Sequence, residues 1–277
     1  MVYKTIDLYK EFGVQRGENK SGFLTVYAHD NTPEINPERK YPCMLVFPGG
    51  AYKFVSDREK EPIAFRYFAA GYNVYVLDYS VAPSRYPVQL IEAAMSMAYI
   101  RRNAAALFND AEHVAVVGFS AGGHLCGSIS TMYAEKEIFE TAGVTPEEAK
   151  PNASVLAYPV ACTDYFQETY DYLCELKPEI MAKVNIAANV NKDTSPMFIW
   201  HTANDGAVDC GNSLALGMAC RQNGVPFDLH IYANGWHGLS NADKSVYREV
   251  PDHSKLADRW LEDSILWLSE LGFGYRD

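Results

Sequence analysis

The stretch Val114-Ala115-Val116-Val117-Gly118-Phe119-Ser120-Ala121-Gly122-Gly123-His124 joins four β-prone apolar residues to a serine set among glycine and alanine. It contains G-x-S-x-G directly after a buried strand and before a small-residue helix start, the setting in which this motif forms a nucleophile elbow. The requirement is steric. A sharp strand-to-helix turn strains the serine backbone, and the residues two before and two after it must lack side chains. The turn lifts the hydroxyl out of the sheet and aims the next backbone N–H at a reacting carbonyl oxygen.

The same rhythm of apolar runs and helix-sized intervals extends on both sides. The runs are Cys43 to Phe47, Val74 to Leu77, Val155 to Tyr158, Met197 to Trp200 and Phe227 to Tyr232. Continuous rather than alternating apolar character predicts strands buried on both faces, as in a parallel sheet covered by helices. Helices are expected over Glu59 to Ala70, Val88 to Leu107, Cys210 to Gln222 (with Asp209 as a cap) and Leu256 to Leu271. Two alternating segments, Tyr3 to Tyr9 and Phe23 to His29, read as an antiparallel pair at the sheet edge. The fold class is therefore α/β, in one domain over residues 1–277. Residues 162–195 read equally as a lid or as a surface crossover, with Tyr165, Phe166, Tyr170, Tyr172 and Leu173 early in the excursion. Tyr133 to Lys150 reads as a solvated helix and loop.

Composition excludes several classes of partner. The 277 residues carry 35 acidic and 24 basic side chains, a formal charge of −11, which leaves no electrostatic footprint for nucleic acid or anionic membrane. The longest apolar runs are strand-sized, against about 20 residues for a bilayer span. The first residues, Met1-Val2-Tyr3-Lys4-Thr5-Ile6-Asp7, lack a secretory apolar region, so a cytoplasmic location is expected. Cys43, Cys126, Cys162, Cys174, Cys210 and Cys220 show no metal-ligand spacing and read as reduced thiols. No metal and no cofactor is expected.

A serine hydroxyl needs a base, and the base needs an acid to hold its tautomer. In the order Ser…Asp/Glu…His, both partners follow Ser120 at strand ends. Asp205 is the strand-end acid in Trp200-His201-Thr202-Ala203-Asn204-Asp205-Gly206; Asp209 competes but reads as a helix cap. Among seven histidines, His29 and His113 precede the elbow, His230 lies within a strand, His201 comes before the acid, and His253 starts a charged helix. His124 reads as a structural donor on the elbow helix. His237, between glycines in Gly235-Trp236-His237-Gly238 after the last strand, is the predicted base. The turn Phe47-Pro48-Gly49-Gly50-Ala51-Tyr52 ends an early strand, which makes the backbone N–H groups of Gly50, Ala51 and Ala121 the expected oxyanion donors. Tyr52 and Trp236 are expected to touch substrate.

Together these residues resemble the α/β-hydrolase superfamily, and within it the acetyl-esterase and lipase-like branch near acetyl-xylan-esterase-like proteins and the hormone-sensitive-lipase group. Pro48-Gly49-Gly50-Ala51-Tyr52 stands where that branch has H-G-G-G or P-G-G-G-Y. Asp78-Tyr79-Ser80-Val81-Ala82-Pro83 resembles D/N-Y-R-L-A-P, and Tyr86-Pro87 opens a similar helix. Gly118 to His124 matches G-x-S-A-G-G-H, and Gly235 to Gly238 matches G-x-H-G. Pro48, Ala51 and Ser80 depart from the pattern, and the stretch before Tyr41 is too short for the helical cap of the lipase group. The resemblance implies an α/β-hydrolase fold, with a mostly parallel central sheet, an antiparallel N-terminal edge and helices on both faces. It also implies a serine carboxylesterase acting on short, chiefly acetyl, esters of small molecules, O-acetylated sugars among them. A peptidase with the same triad and a non-catalytic receptor on this scaffold stay as alternatives, and a homodimer is left open.

Overall fold

The computed structural model describes residues 1–165 and 168–275. Its strands are β1 (Val2–Asp7), β2 (Phe23–Ala28), β3 (Tyr41–Phe47), β4 (Asn73–Asp78), β5 (Asn109–Phe119), β6 (Ala153–Ala157), β7 (Met197–Thr202) and β8 (Phe227–Tyr232). They form one eight-stranded sheet in the order β1-β2-β4-β3-β5-β6-β7-β8. β1 and β2 are antiparallel to each other and β2 to β4, whereas every pair from β4 to β8 is parallel. This is the mostly parallel sheet with an antiparallel N-terminal edge expected from the sequence.

The continuous apolar runs are explained by burial on two sides. In β3, Cys43, Leu45 and Phe47 join one core while Met44 and Val46 join the other. The first core lies under the helices Val88–Arg102, Ala121–Thr131 and Gly211–Asn223, which contribute Leu90, Met97, Leu125, Ile129 and Leu216. The second lies under Glu61–Ala69 and Trp260–Glu270, which contribute Ile63, Tyr67, Trp260 and Leu268.

Several boundaries differ from expectation. β1 stops at Asp7 because its carboxylate accepts the Lys10 N–H and starts a short helix, Leu8–Glu11, where strand was expected to Tyr9. The Val88 to Leu107 segment is two helices, broken at Asn103, whose side-chain amide donates to the Tyr99 carbonyl. Glu59 belongs to a 3-10 turn, Asp57–Glu59, ahead of the helix that begins at Glu61. Of the aromatics in 162–195, Tyr170 is fully buried and Tyr165 is exposed; Phe166 lies outside the described residues. All six cysteines are free thiols. Among the described residues, no helix is long and apolar enough to cross a membrane.

Candidate active site

Parallel strands end on one rim, and loops leaving that rim bring distant residues together. β5 ends at Phe119 and Ser120 follows with φ 54° and ψ −117°, a strained conformation that the next helix, Ala121–Thr131, holds in place. Ser120 N–H donates to the Ala157 carbonyl (3.0 Å), and the Ser120 carbonyl accepts from His124 N–H (3.0 Å). The flanking glycines are a packing necessity. A Cβ on Gly118 would lie 2.1 Å from the Gly122 carbonyl oxygen, and one on Gly122 would lie 2.1 Å from that of Phe47.

The loop after β8 carries His237 to the elbow. Its Nε2 lies 2.7 Å from Ser120 Oγ, and its Nδ1 lies 2.8 Å from Asp205 Oδ2, on the loop after β7. An ionised carboxylate only accepts, so the ring proton sits on Nδ1 and Nε2 accepts from the serine hydroxyl. The loop is pinned on both sides of the ring. Gly235 N–H donates to Asn204 Oδ1 (2.8 Å), Thr202 Oγ1 to the Gly235 carbonyl (3.1 Å), and Trp260 Nε1 to the Ser240 carbonyl (2.9 Å).

Asp205 is held as an anion. Burial pushes its carboxyl up, but hydrogen bonding from His201 and His237, the His237 charge and the Val208 N–H outweigh burial and hold it well below the usual carboxylate range. Oδ1 takes the N–H groups of Ala207 and Val208, both at 2.9 Å. His201 Nε2 donates to the Val208 carbonyl at 3.0 Å and lies 3.4 Å from Asp205 Oδ2. Thus His201 backs the acid rather than the serine. Asp209 accepts the Gly211 N–H at 2.7 Å, but the helix is Gly211–Asn223 and its N-cap is Cys210, so Asp209 lies one residue ahead of the capping position expected of it.

The Gly50, Ala51 and Ala121 N–H groups have no hydrogen-bond partner among the described residues, and Gly50 and Ala51 line the cleft at Ser120. Residues 50–52 all have positive φ (128°, 56° and 59°), a tight left-handed turn directly after the strand end. The same turn carries the Tyr52 ring into the core. Tyr52 is 1% exposed, with its hydroxyl 2.9 Å from His124 Nδ1, and does not line the cleft, contrary to its expected contact with substrate. Trp236 is 65% exposed and lines a neighbouring cavity.

His124 Nε2 donates to the Val184 carbonyl (2.8 Å), so Nδ1 accepts the Tyr52 hydroxyl. Burial pulls this imidazole down to about 4, with the Val184 carbonyl opposing, and keeps it neutral. His124 is thus a structural donor, tying 178–184 to the elbow helix.

Sequence reasoning missed Glu59. It is buried and borders the cleft, with Oε2 accepting Gly49 N–H (2.7 Å) and Oε1 accepting the Tyr158 hydroxyl (2.7 Å). Tyr158 in turn accepts Ser240 N–H at 2.9 Å and packs edge-on against the His237 ring at 5.1 Å. Burial pushes the Glu59 carboxyl up, against the hydrogen bonds from Tyr158 and Gly49. No motif signals this residue, which follows the end of β3 by twelve positions in a charged stretch.

The cleft at Ser120 measures about 190 Å³ and is also lined by Phe54, Thr169 and Val208. A larger cavity of about 610 Å³ lies at the opposite rim, among Arg101, Glu112, Glu148 and Lys150, and has no nucleophile–base pair. Chemistry, not size, selects the Ser120 cleft. Among the described residues, no group of three or more His, Cys, Asp or Glu side chains is placed to hold a metal ion.

Residues 31–219 match the family model described as BD-FAE. The chain is 30% identical over 226 residues to endo-1,4-beta-xylanase B of Butyrivibrio fibrisolvens, covering 76% of this chain and 34% of that protein. It spans less than half the length of the curated relatives it matches. The solved acetyl ester-xyloside bifunctional hydrolase from Caldicellulosiruptor lactoaceticus superimposes with a TM-score of 0.77 at 30% identity, over 91% of this chain and 88% of that one. The carboxylesterase Cest-2923 from Lactobacillus plantarum WCFS1 gives 0.84 at 26% identity, over 99% and 98%. The sheet described above is that of the α/β-hydrolase fold.

Proposed function

The chain belongs to the BD-FAE family, and on that premise we propose that it is a serine carboxylesterase that cleaves acetyl and other short acyl esters, O-acetylated sugars among them, through an acyl-enzyme. The observation that carries the reading is the unbroken hydrogen-bonded line Ser120 Oγ–His237–Asp205, at 2.7 and 2.8 Å. Ser120 attacks the ester carbon while His237 Nε2 takes its proton. Asp205, already ionised, stabilises the imidazolium through Nδ1. The Gly50, Ala51 and Ala121 N–H groups receive the oxyanion. His237 then gives its proton to the leaving alkoxide, and water repeats the sequence to release the acid.

The cleft of about 190 Å³ supports a short acyl group. Residues 162–195 act in this reading as a cap. Thr169 lines the cleft, while Tyr170, Leu173, Val184 and Ile186 tie the segment to the core. The names of two relatives, an acetyl ester-xyloside hydrolase and a xylanase, support acetylated sugars as the substrate class.

The test is hydrolysis of p-nitrophenyl esters from acetate to octanoate by wild type and Ser120→Ala, with a p-nitroanilide in parallel. The expected result is activity greatest on acetate, and lower by a factor of at least about 10⁴ in the variant. A peak at octanoate would remove the short-acyl part. Turnover of the anilide alone would replace the esterase with a peptidase.

A further inference from the structure

His237 stands between two cavities. On one side is the Ser120 cleft with the Gly50–Ala51 loop; on the other is a cavity of about 380 Å³ lined by Asn204, Gly206, Gly235 and Trp236. The two share only Ala207 and His237. This division has a chemical meaning if Ser120 and His237 act as proposed above, on which the inference rests. The acyl carbon must bond to Ser120 Oγ with its oxygen toward the loop N–H groups. As the ester C–O bond breaks, the electron pair stays on the alcohol oxygen, which takes the proton from His237 Nε2. The departing alcohol therefore lies toward His237, and the cavity beyond the imidazole, which contains neither Ser120 nor the oxyanion loop, is where its remainder fits.

The shape of that cavity selects a class of alcohol. Trp236 is 65% exposed on a loop whose backbone is fixed by Gly235 N–H to Asn204 Oδ1 and by Thr202 Oγ1 to the Gly235 carbonyl. An exposed indole next to the proposed base presents an apolar surface whose burial is favourable. A pyranose ring complements it, because its C–H face is apolar while its rim of hydroxyls is polar, and the lining pairs the indole with the polar Asn204. We propose that the cavity between His237 and Trp236 is the alcohol subsite, that it takes a pyranose stacked on the Trp236 indole, and that the Ser120 cleft holds the acyl group alone.

The experiment compares an acetylated methyl xyloside with ethyl acetate, which form the same acetyl-enzyme and differ only in the alcohol. Trp236→Ala should lower kcat/KM on the xyloside about tenfold more than on ethyl acetate, chiefly through KM, and Trp236→Phe should recover much of the difference. Equal losses on both esters, or none on either, would overturn the subsite while leaving the esterase standing. Failure of the wild type on both esters would instead bring down the esterase reading, and the subsite with it.

Discussion

The carboxylate of Glu59 accepts the backbone N–H of Gly49 at 2.7 Å, so a buried acid anchors the loop that presents Gly50 and Ala51 to Ser120. Through its other oxygen Glu59 holds Tyr158, which packs against His237. One side chain thereby ties the proposed oxyanion loop to the proposed base. Satisfying the Gly49 N–H elsewhere also leaves it out of the donor set, whereas Gly50 and Ala51, whose N–H groups are free, line the cleft.

Removal of that anchor should slow turnover more than it weakens binding. Glu59→Ala leaves the Gly49 N–H and the Tyr158 hydroxyl without their partner, at about 1–3 kcal/mol for each buried group left unpaired. The loosened loop should lower kcat on p-nitrophenyl acetate by roughly 10- to 100-fold, with KM little changed. Glu59→Gln retains an oxygen for Gly49 and should recover most of the loss. Steady-state kinetics of the two variants decides: a pure rise in KM, or no rescue by glutamine, would remove the positioning role.

The elbow glycines make a prediction about folding rather than chemistry. A Cβ on Gly122 meets the carbonyl oxygens of Phe47 and Pro48 at 2.1 and 2.3 Å, and neither backbone is free to move without opening the β3 end. Gly122→Ala should cost roughly 3 kcal/mol or more, read as a fall in Tm on the order of 5–10 °C. Gly274→Ala, where a Cβ meets nothing within 4 Å, serves as the control and should leave Tm nearly unchanged. Matching melting curves for the two variants would show the elbow to be less crowded than these distances indicate.

What could be read in advance follows from how local each signal is. Strand burial, the elbow and the glycine-flanked His237 each depend on a few consecutive residues, and the order of nucleophile, acid and base along the chain narrows the pairing of distant ones. Tyr52 and Glu59 depend on where a loop turns after β3. The positive φ at Ala51 and Tyr52 sends the tyrosine inward, and the 3-10 turn at Asp57–Glu59 brings the glutamate beneath it. Neither event has a periodicity. An isolated glutamate in a charged stretch reads as solvated until the fold supplies Gly49 and Tyr158 as its partners. His201 was equally hidden, because its role is to back Asp205 from within the strand end.

His124 makes stability depend on pH in a defined window. An imidazole in the unfolded chain titrates near 6.5, whereas burial between Tyr52 and Val184 lowers this one to about 4. Between those values the unfolded state binds more protons than the folded one, so stability rises with pH. The contribution is complete above about pH 6.5 and is lost as pH falls toward 4, by an amount on the order of 3 kcal/mol. His124→Gln keeps a donor for the Val184 carbonyl but has no proton to gain. Its unfolding free energy, measured by denaturant titration from pH 4.5 to 8, should fall less steeply in acid than that of the wild type. Parallel curves for the two proteins across this range would mean that His124 is reached by water, and that the contact tying 178–184 to the elbow helix opens in solution.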